Sequence, residues 1–354
     1  MKIKIFYSVT AILFIICSWG CQPFENANMF NGEIKYVASF PQSIELKGEK
    51  INIDNLGAET IDCIDSLLIF SQRNMDYFYR VFSTQSLQHL GDYISEGTAP
   101  NEMISVSYPI FLRKEQKNAM LYICDNHTYK IKALNLSKSI IENQNILEDK
   151  VELNKTLLHK FSYPLNDSTY FLHGFDINKK NEYYAIYHGH NKQLSISDII
   201  YKTPLQNIGN MFLYNSYGCY NEKSQKYATA MHFFSQINIY PCDEKDFPFS
   251  IIIGDKPLNI QEIEKTQMPE KIEYYQDMVC TDEYLLGLYA GCSRKDWAFS
   301  NNVEVKIHMF DWNGNPICQF ILDKKIAKIA IDENQHILYG MTLEEEVFKY
   351  KIPY

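Results

Sequence analysis

Beyond its first twenty residues the chain has no apolar run of eighteen, so no later segment reads as a membrane-spanning helix. No window clusters Lys and Arg among aromatics, and the formal net charge is −9. A surface of that sign cannot neutralise a run of phosphates, which excludes nucleic acid as a partner. No C-x-x-C occurs, and no cysteine stands at zinc-ligand spacing from a histidine. The signatures G-x-x-x-x-G-K-[ST], G-x-S-x-G and H-E-x-x-H are all missing, as are the repeated boxes of sialidase-type rings. Also missing are a proline-rich linker and any low-complexity tract, and no dozen residues sustain a helical period. The nearest approach, Ser137 to Val151, is polar and has no continuous apolar stripe.

The start of the chain carries an address. Lys2 and Lys4 precede an apolar stretch from Ile5 to Trp19, too short to cross a bilayer, and Ser18-Trp19-Gly20-Cys21 follows. This resembles a bacterial lipoprotein signal, in which the cysteine takes a diacylglycerol and becomes the mature N-terminus. The segments expected are a leader over 1–20, a tether over 21–30 and the folded body over 31–354, with Cys21 as the lipid attachment site. Losing Lys2 and Lys4 with the leader takes the formal charge to −11. The expected location is the cell envelope, with the lipid holding the body at a membrane surface, the outer membrane in particular.

Seven cysteines remain after Cys21: Cys63, Cys124, Cys219, Cys242, Cys280, Cys292 and Cys318. An odd count leaves at least one thiol unpaired in a monomer. Their apolar surroundings, as in LYICDN and PICQFIL, suit a small buried hydrophobe. A bridge such as Cys219 to Cys242 stays open, since connectivity is not readable from spacing.

What fills the body is alternation with period two, in blocks. Each block has an apolar strand, a polar turn, a very apolar strand, another turn and an alternating strand. With Leu68, Leu121, Tyr184, Ala228, Leu286 and Leu338 taken as markers of the second strand, six units follow one another at about 54 residues. A lone four-stranded sheet cannot bury either face; six stacked in a ring bury both. The expectation is therefore an all-β fold, a six-bladed β-propeller of four-stranded antiparallel blades. The polar stretches Asp176 to Asn181 and Asp332 to Gln335 are expected as tips between first and second strands. The last block stops at its third strand, EVFKYKI, so its outer strand is expected from EIKYVASF or SIELKG near the start, closing the ring.

Hairpins such as LYICDNHTYKIKALNL, behind the leader and the loop Gly97-Thr98-Ala99-Pro100-Asn101-Glu102, make the chain similar to the TolB-like six-bladed propeller lipoproteins of Bacteroidetes. Those proteins carry a G-x-GP-x-E loop early in the ring; alanine replaces the second glycine here. The resemblance implies the fold and the envelope address, and it carries over no catalytic residue. Between two strands, the loop reads as a crossover from one blade to the next. Gly97 is expected to supply a positive φ, Pro100 to fix the backbone, and Glu102 to cap N–H groups.

Chemistry is sparse. His188 and His190 flank Gly189 at i and i+2 and could face one ion, with His173 and His232 as further ligands, although a solvated turn explains them as well. Asp176, Asp255, Asp282 and Asp311 are candidates for paired-carboxylate hydrolysis, which depends on a separation that sequence does not give. Asp311-Trp312-Asn313-Gly314-Asn315 reads as a hairpin turn. Aromatics are plentiful, with 26 tyrosines, 21 phenylalanines and only three tryptophans. Most are expected between blades, with some tyrosines at the mouth of the ring. No catalytic, cofactor-binding or metal-ligating residue is assigned and no cofactor is expected. The expected role is binding of an envelope protein, a peptide, a glycan or a small ligand. The alternative is a metal-dependent lactonase-like hydrolase or lyase working on the axis.

Overall fold

The computed structural model describes residues 33–353 apart from 74, 100, 107–110, 126, 154–157, 177, 179–180, 197–211, 243–246 and 256–259. The leader, the tether with Cys21, and Pro100 lie outside the described residues.

Six antiparallel sheets follow one another in sequence. Blade 1 comprises Ala58–Ile64, Leu67–Gln72, Tyr77–Ser83 and His89–Ser95. Blade 2 has Phe111–Glu115, Asn118–Asp125, Lys130–Asn135 and Leu147–Glu152, and blade 3 has Leu158–Pro164, Thr169–Asp176, Asn181–His188 and Gln193–Ile196. Blade 4 runs through Ser216–Asn221, Lys226–Met231, Gln236–Pro241 and Phe249–Ile253. Blade 5 contains Ile272–Cys280, Tyr284–Ser293, Val305–Asp311 and Pro316–Leu322. Blade 6 contains Ile326–Asp332, Ile337–Thr342 and Val347–Lys351, and its outer strand is Glu49–Ile51. The first strands of all six blades line one cavity on the axis.

The second strands show why the ring forms. Asn118–Asp125 and Thr169–Asp176 are buried at every position but the first, so both faces of the sheet are covered by neighbouring blades. Aromatic rings fill the gap between blades 3 and 4: Tyr227 is fully buried and meets the rings of Phe161, Tyr163, Phe171, His173 and Tyr184. Phenylalanine and tyrosine supply large area at low entropic cost, and most of them are spent here on packing.

Five of the six expected markers stand on second strands. Tyr184 instead lies on the third strand of blade 3, opposite His173 on the second. The error has a simple cause. The first and second strands of this blade (LHKFSYP and TYFLHGFD) are both aromatic-rich, and the apolar maximum falls one strand late. The tip at 176–181 accordingly joins second and third strands, whereas Asp332 to Gln335 joins first and second as expected.

Ring closure also differs in detail. EIKYV (Glu33–Val37) runs parallel to Phe249–Ile253 on the outer edge of blade 4. SIEL (Ser43–Leu46) runs parallel to Pro316–Leu322 on blade 5. Only the next three residues, Glu49–Ile51, reach blade 6 and pair antiparallel with Val347–Lys351. One short stretch thus clasps three successive blades, and blades 4 and 5 gain a fifth strand. The connections are so short that a segment seated on blade 4 cannot also span the open edge of blade 6.

Among the described residues three short α-helices interrupt the strands: α1 (Leu136–Glu142), α2 (Ile260–Lys265) and α3 (Arg294–Phe299). Each is shorter than the span over which a period shows. Side chains rather than stripes define α1, where Asn135 caps the start by accepting from Lys138 N and Asn143 ends it in the left-handed region.

The loop after blade 1 is structural. Glu102 Oε2 accepts from Ala99 N at 3.0 Å, and Gly97 N donates to Met103 O at 3.0 Å. Gly97 does not take the expected positive φ. A Cβ there would lie 1.9 Å from the Glu102 carboxylate, which folds back over the glycine and would have to move aside.

Candidate axial site

The axial cavity has a volume of about 250 Å³, room for roughly eight waters at liquid density. Its wall is divided. Blades 5, 6 and 1 contribute Asp277, Lys328 and Asp62, and blade 4 contributes Tyr217. Facing them are Phe111 from blade 2, Tyr163 from blade 3 and Tyr220 from blade 4.

Local irregularities aim the charged residues inward. In blade 5 the register slips between Tyr275 and Asp277, and in blade 6 between Ile326 and Lys328. Blade 1 slips between Ala58 and Thr60, and Asp62 follows two residues later on the same face. A bulge inserts one residue and re-aims the next, so each strand keeps its apolar flanks in the blade core while turning a charge to the axis. The bulged residues Gln276 and Ala327 are themselves buried.

Asp277 and Lys328 attract one another at the axis, while each makes its hydrogen bonds to backbone groups. Asp277 Oδ2 accepts from Ile329 N at 2.9 Å and Oδ1 from Met278 N at 3.0 Å. Lys328 Nζ donates to Gln276 O at 3.1 Å and lies 4.3 Å from the centre of the Tyr217 ring. Burial pushes the Asp277 carboxyl above its usual range, while Lys328 and the two N–H groups pull it back. Burial works against the Lys328 ammonium too, but Asp277 first, then Tyr217, Asp62 and Glu59, outweigh it and its pKa is raised. Lys328 is therefore a fixed positive charge.

Asp62 is less provided for. Thr60 Oγ1 donates to its Oδ2 at 3.3 Å. Burial, and then the nearby Asp277, push its pKa up to about 7, against smaller opposing effects from Thr60 and Lys328. Asp62 is half-buried, with part of its surface opening to the cavity.

All seven described cysteines are free thiols; Cys124, Cys219 and Cys318 are buried as expected, Cys63, Cys242, Cys280 and Cys292 only partly, and the Cys219–Cys242 bridge is not formed. Cys219 and Cys280 meet side chain to side chain in the cavity wall, and burial drives the Cys219 thiol well above its ordinary range.

None of the histidines or carboxylates singled out from the sequence reaches the axis. His190 is exposed in the turn between the third and fourth strands of blade 3, while His173 is buried between Phe161 and Tyr184, 3.1 Å from the Tyr227 hydroxyl. His232 contacts Glu273 at 3.2 Å and Tyr275 O at 2.8 Å. No three His, Cys, Asp or Glu side chains group as metal ligands among the described residues. Asp176 and Asp311 bind the backbone of their own turns, the latter accepting from Asn313 N and Asn315 N, and Asp255 and Asp282 are exposed. Asp62, Asp277 and Lys328 were not nominated. The available signal was a lone charge inside an otherwise apolar first strand, as in YYQDMVC and IAKIAI.

Comparison with known proteins agrees with this geometry. The model of the TolB-like 6-blade propeller-like family matches residues 60–334. The chain belongs to that family. Two crystal structures share its fold. A DUF4221 family member from Bacteroides vulgatus is 12% identical, with 90% of this chain and 98% of that one covered at a TM-score of 0.56. A Bacteroides fragilis protein provisionally described as exported is 11% identical, with 90% and 98% covered at a TM-score of 0.52. None of the curated proteins compared with it matches the chain. At such identities the likeness to these two structures shows the fold alone.

Proposed function

We propose that this TolB-like propeller is an envelope protein, held at a membrane through lipid on Cys21, that binds a small polar ligand in its axial cavity. One observation carries the binding reading: three charged side chains from three blades converge with aromatic side chains on a single concave cavity on the axis. Buried charge is costly and is retained where it does something, and a concave site with few convergent polar groups is the usual form of a ligand pocket. The leader ending in Gly20-Cys21 supports the anchor, and the exported description of the B. fragilis neighbour accords with it.

A second reading rests on Asp62. A carboxyl that titrates near neutrality beside another carboxylate suits general acid–base catalysis without a metal. It ranks second because Asp277 is already occupied by Lys328 and two backbone donors. The metal-dependent lactonase or lyase reading ranks below it, since the axial charges include a lysine where a cation would need ligands.

Binding is tested by incubating the full chain and its Thr60→Trp variant with the small-molecule fraction of host envelopes. Washed protein is then extracted for mass spectrometry. Wild type should retain a species that the filled cavity does not; identical extracts from both, with the variant folded, refute the axial site. Cys21→Ser should move the chain from the membrane pellet to the supernatant.

A further inference from the structure

We infer that the axial cavity takes a small organic ammonium ion, with its charged nitrogen on Asp62 and its carbon skeleton against Phe111, Tyr163 and Tyr220. This rests on the axial binding reading and names the class of ligand.

Charge is the first ground. Asp277 and Lys328 neutralise one another, and each is completed by protein groups: two backbone N–H donors for the carboxylate, a carbonyl and the Tyr217 face for the ammonium. Asp62 is left as a surplus carboxylate whose described partner is a single hydroxyl on Oδ2. Once Asp62 ionises, an anion would meet an excess of negative charge there, and a neutral sugar would leave the carboxylate uncompensated. A cation completes the site.

Shape is the second ground. Phe111, Tyr163 and Tyr220 come from three different blades, yet their rings form one continuous wall. Centroids lie 4.3 Å apart for Phe111 and Tyr163, 5.3 Å for Tyr163 and Tyr220, and 6.4 Å for Phe111 and Tyr220. Aromatic faces carry negative potential, and several of them beside a carboxylate is the arrangement that receives alkylammonium groups. Tyr163 lies within electrostatic reach of Asp62 across the cavity. The space of about 250 Å³ suits a compact amine.

Binding should be linked to a proton. Asp62 faces Asp277 and Cys280 from blade 5, Lys328 from blade 6, Tyr217 and Cys219 from blade 4, Tyr163 from blade 3 and its own neighbour Cys63. Its carboxyl, pushed up to about 7 chiefly by burial, is largely protonated below neutrality, and a bound cation favours the ionised form. Affinity should then be constant above pH 7 and fall about tenfold for each unit below it.

The test is calorimetry on the full chain in detergent. The probes are choline, n-butylammonium and the uncharged carbon isostere of choline, in which a tert-butyl group replaces trimethylammonium. At least one ammonium probe should bind, with proton release seen as a dependence on buffer ionisation enthalpy near neutral pH. Asp62→Asn mimics the protonated carboxyl and should fold; it should weaken that binding at least tenfold. The idea is overturned if neither ammonium probe binds, if the uncharged isostere binds as tightly, or if Asp62→Asn binds like wild type. In the isostere case, loss of its binding in Thr60→Trp would leave the axial-binding reading standing while the cation assignment fell.

Discussion

Lys328 on blade 6 lays its ammonium 4.3 Å from the centre of the Tyr217 ring on blade 4, reaching across the blade that lies between them. The intervening blade supplies Asp277 and the Gln276 carbonyl to the same ammonium, so one side chain ties three blades at the axis. Lys328→Met would remove the positive charge that offsets Asp277 and Asp62 among the described residues there. Breaking a buried pair from one side typically costs roughly 3–5 kcal/mol. Urea unfolding at neutral pH should show a loss of that order. Adding Asp277→Asn should recover most of it, because the stranded carboxylate is then gone. The loss should also shrink in acid, where both carboxyls take up protons.

His308 makes stability depend on pH in the opposite sense from Asp62. It is buried between Tyr289, whose ring stacks at 4.2 Å, and Phe40 at 4.6 Å, with its Nδ1 3.3 Å from the Tyr275 hydroxyl. Burial, helped by Lys306, drives its pKa down to about 3 from 6.5. The unfolded chain therefore binds a proton below pH 6.5 that the folded chain refuses until about pH 3. Stability from this group is complete above 6.5 and is lost as pH falls toward 3, up to about 5 kcal/mol in total. His308→Phe should flatten that acid slope in a series of urea titrations between pH 7 and 4. Asp62 contributes equally to both proteins and cancels in the difference. Equal slopes would show that the imidazole titrates normally.

Much of the architecture was legible because period-two alternation, unit length and the missing last strand are all local properties of the chain. The slip at Tyr184 shows the limit: where two adjacent strands are equally apolar, hydrophobicity does not say which one lies deeper. Gly97 shows another, since its bare Cα lies under Glu102 folding back on it, a contact no turn rule contains. The axial site was the least legible. Asp62, Asp277 and Lys328 are spread over most of the chain, and what turns them inward is a bulge in each strand. A bulge has no fixed residue signature, so the acids that drew attention were those in conspicuous turns, such as Asp176 and Asp311, where they only hold the backbone.

The N-terminal clasp makes a prediction about edges. Glu33–Val37 and Ser43–Leu46 cover the outer strands of blades 4 and 5 with parallel ladders, and Lys35 anchors the first of them by donating to Asn313 O at 2.7 Å while lying over the Phe249 ring. Val37 and Leu46 each bury an apolar side chain against those blades. Deleting residues 33–46 while keeping Glu49–Ile51 would leave the ring closed on blade 6 but expose two sheet edges. Unpaired edges recruit other strands. The shortened chain should therefore lose a few kcal/mol in urea unfolding and self-associate in sedimentation experiments, whereas the full chain in the same detergent should not. Deleting Glu49–Ile51 alone should be worse for stability than its three residues suggest, because blade 6 then loses its outer strand and the ring is held shut only by the packing of blade 6 on blade 1. If the two deletions proved equally mild, the clasp would be an ornament on a ring held shut by blade packing alone.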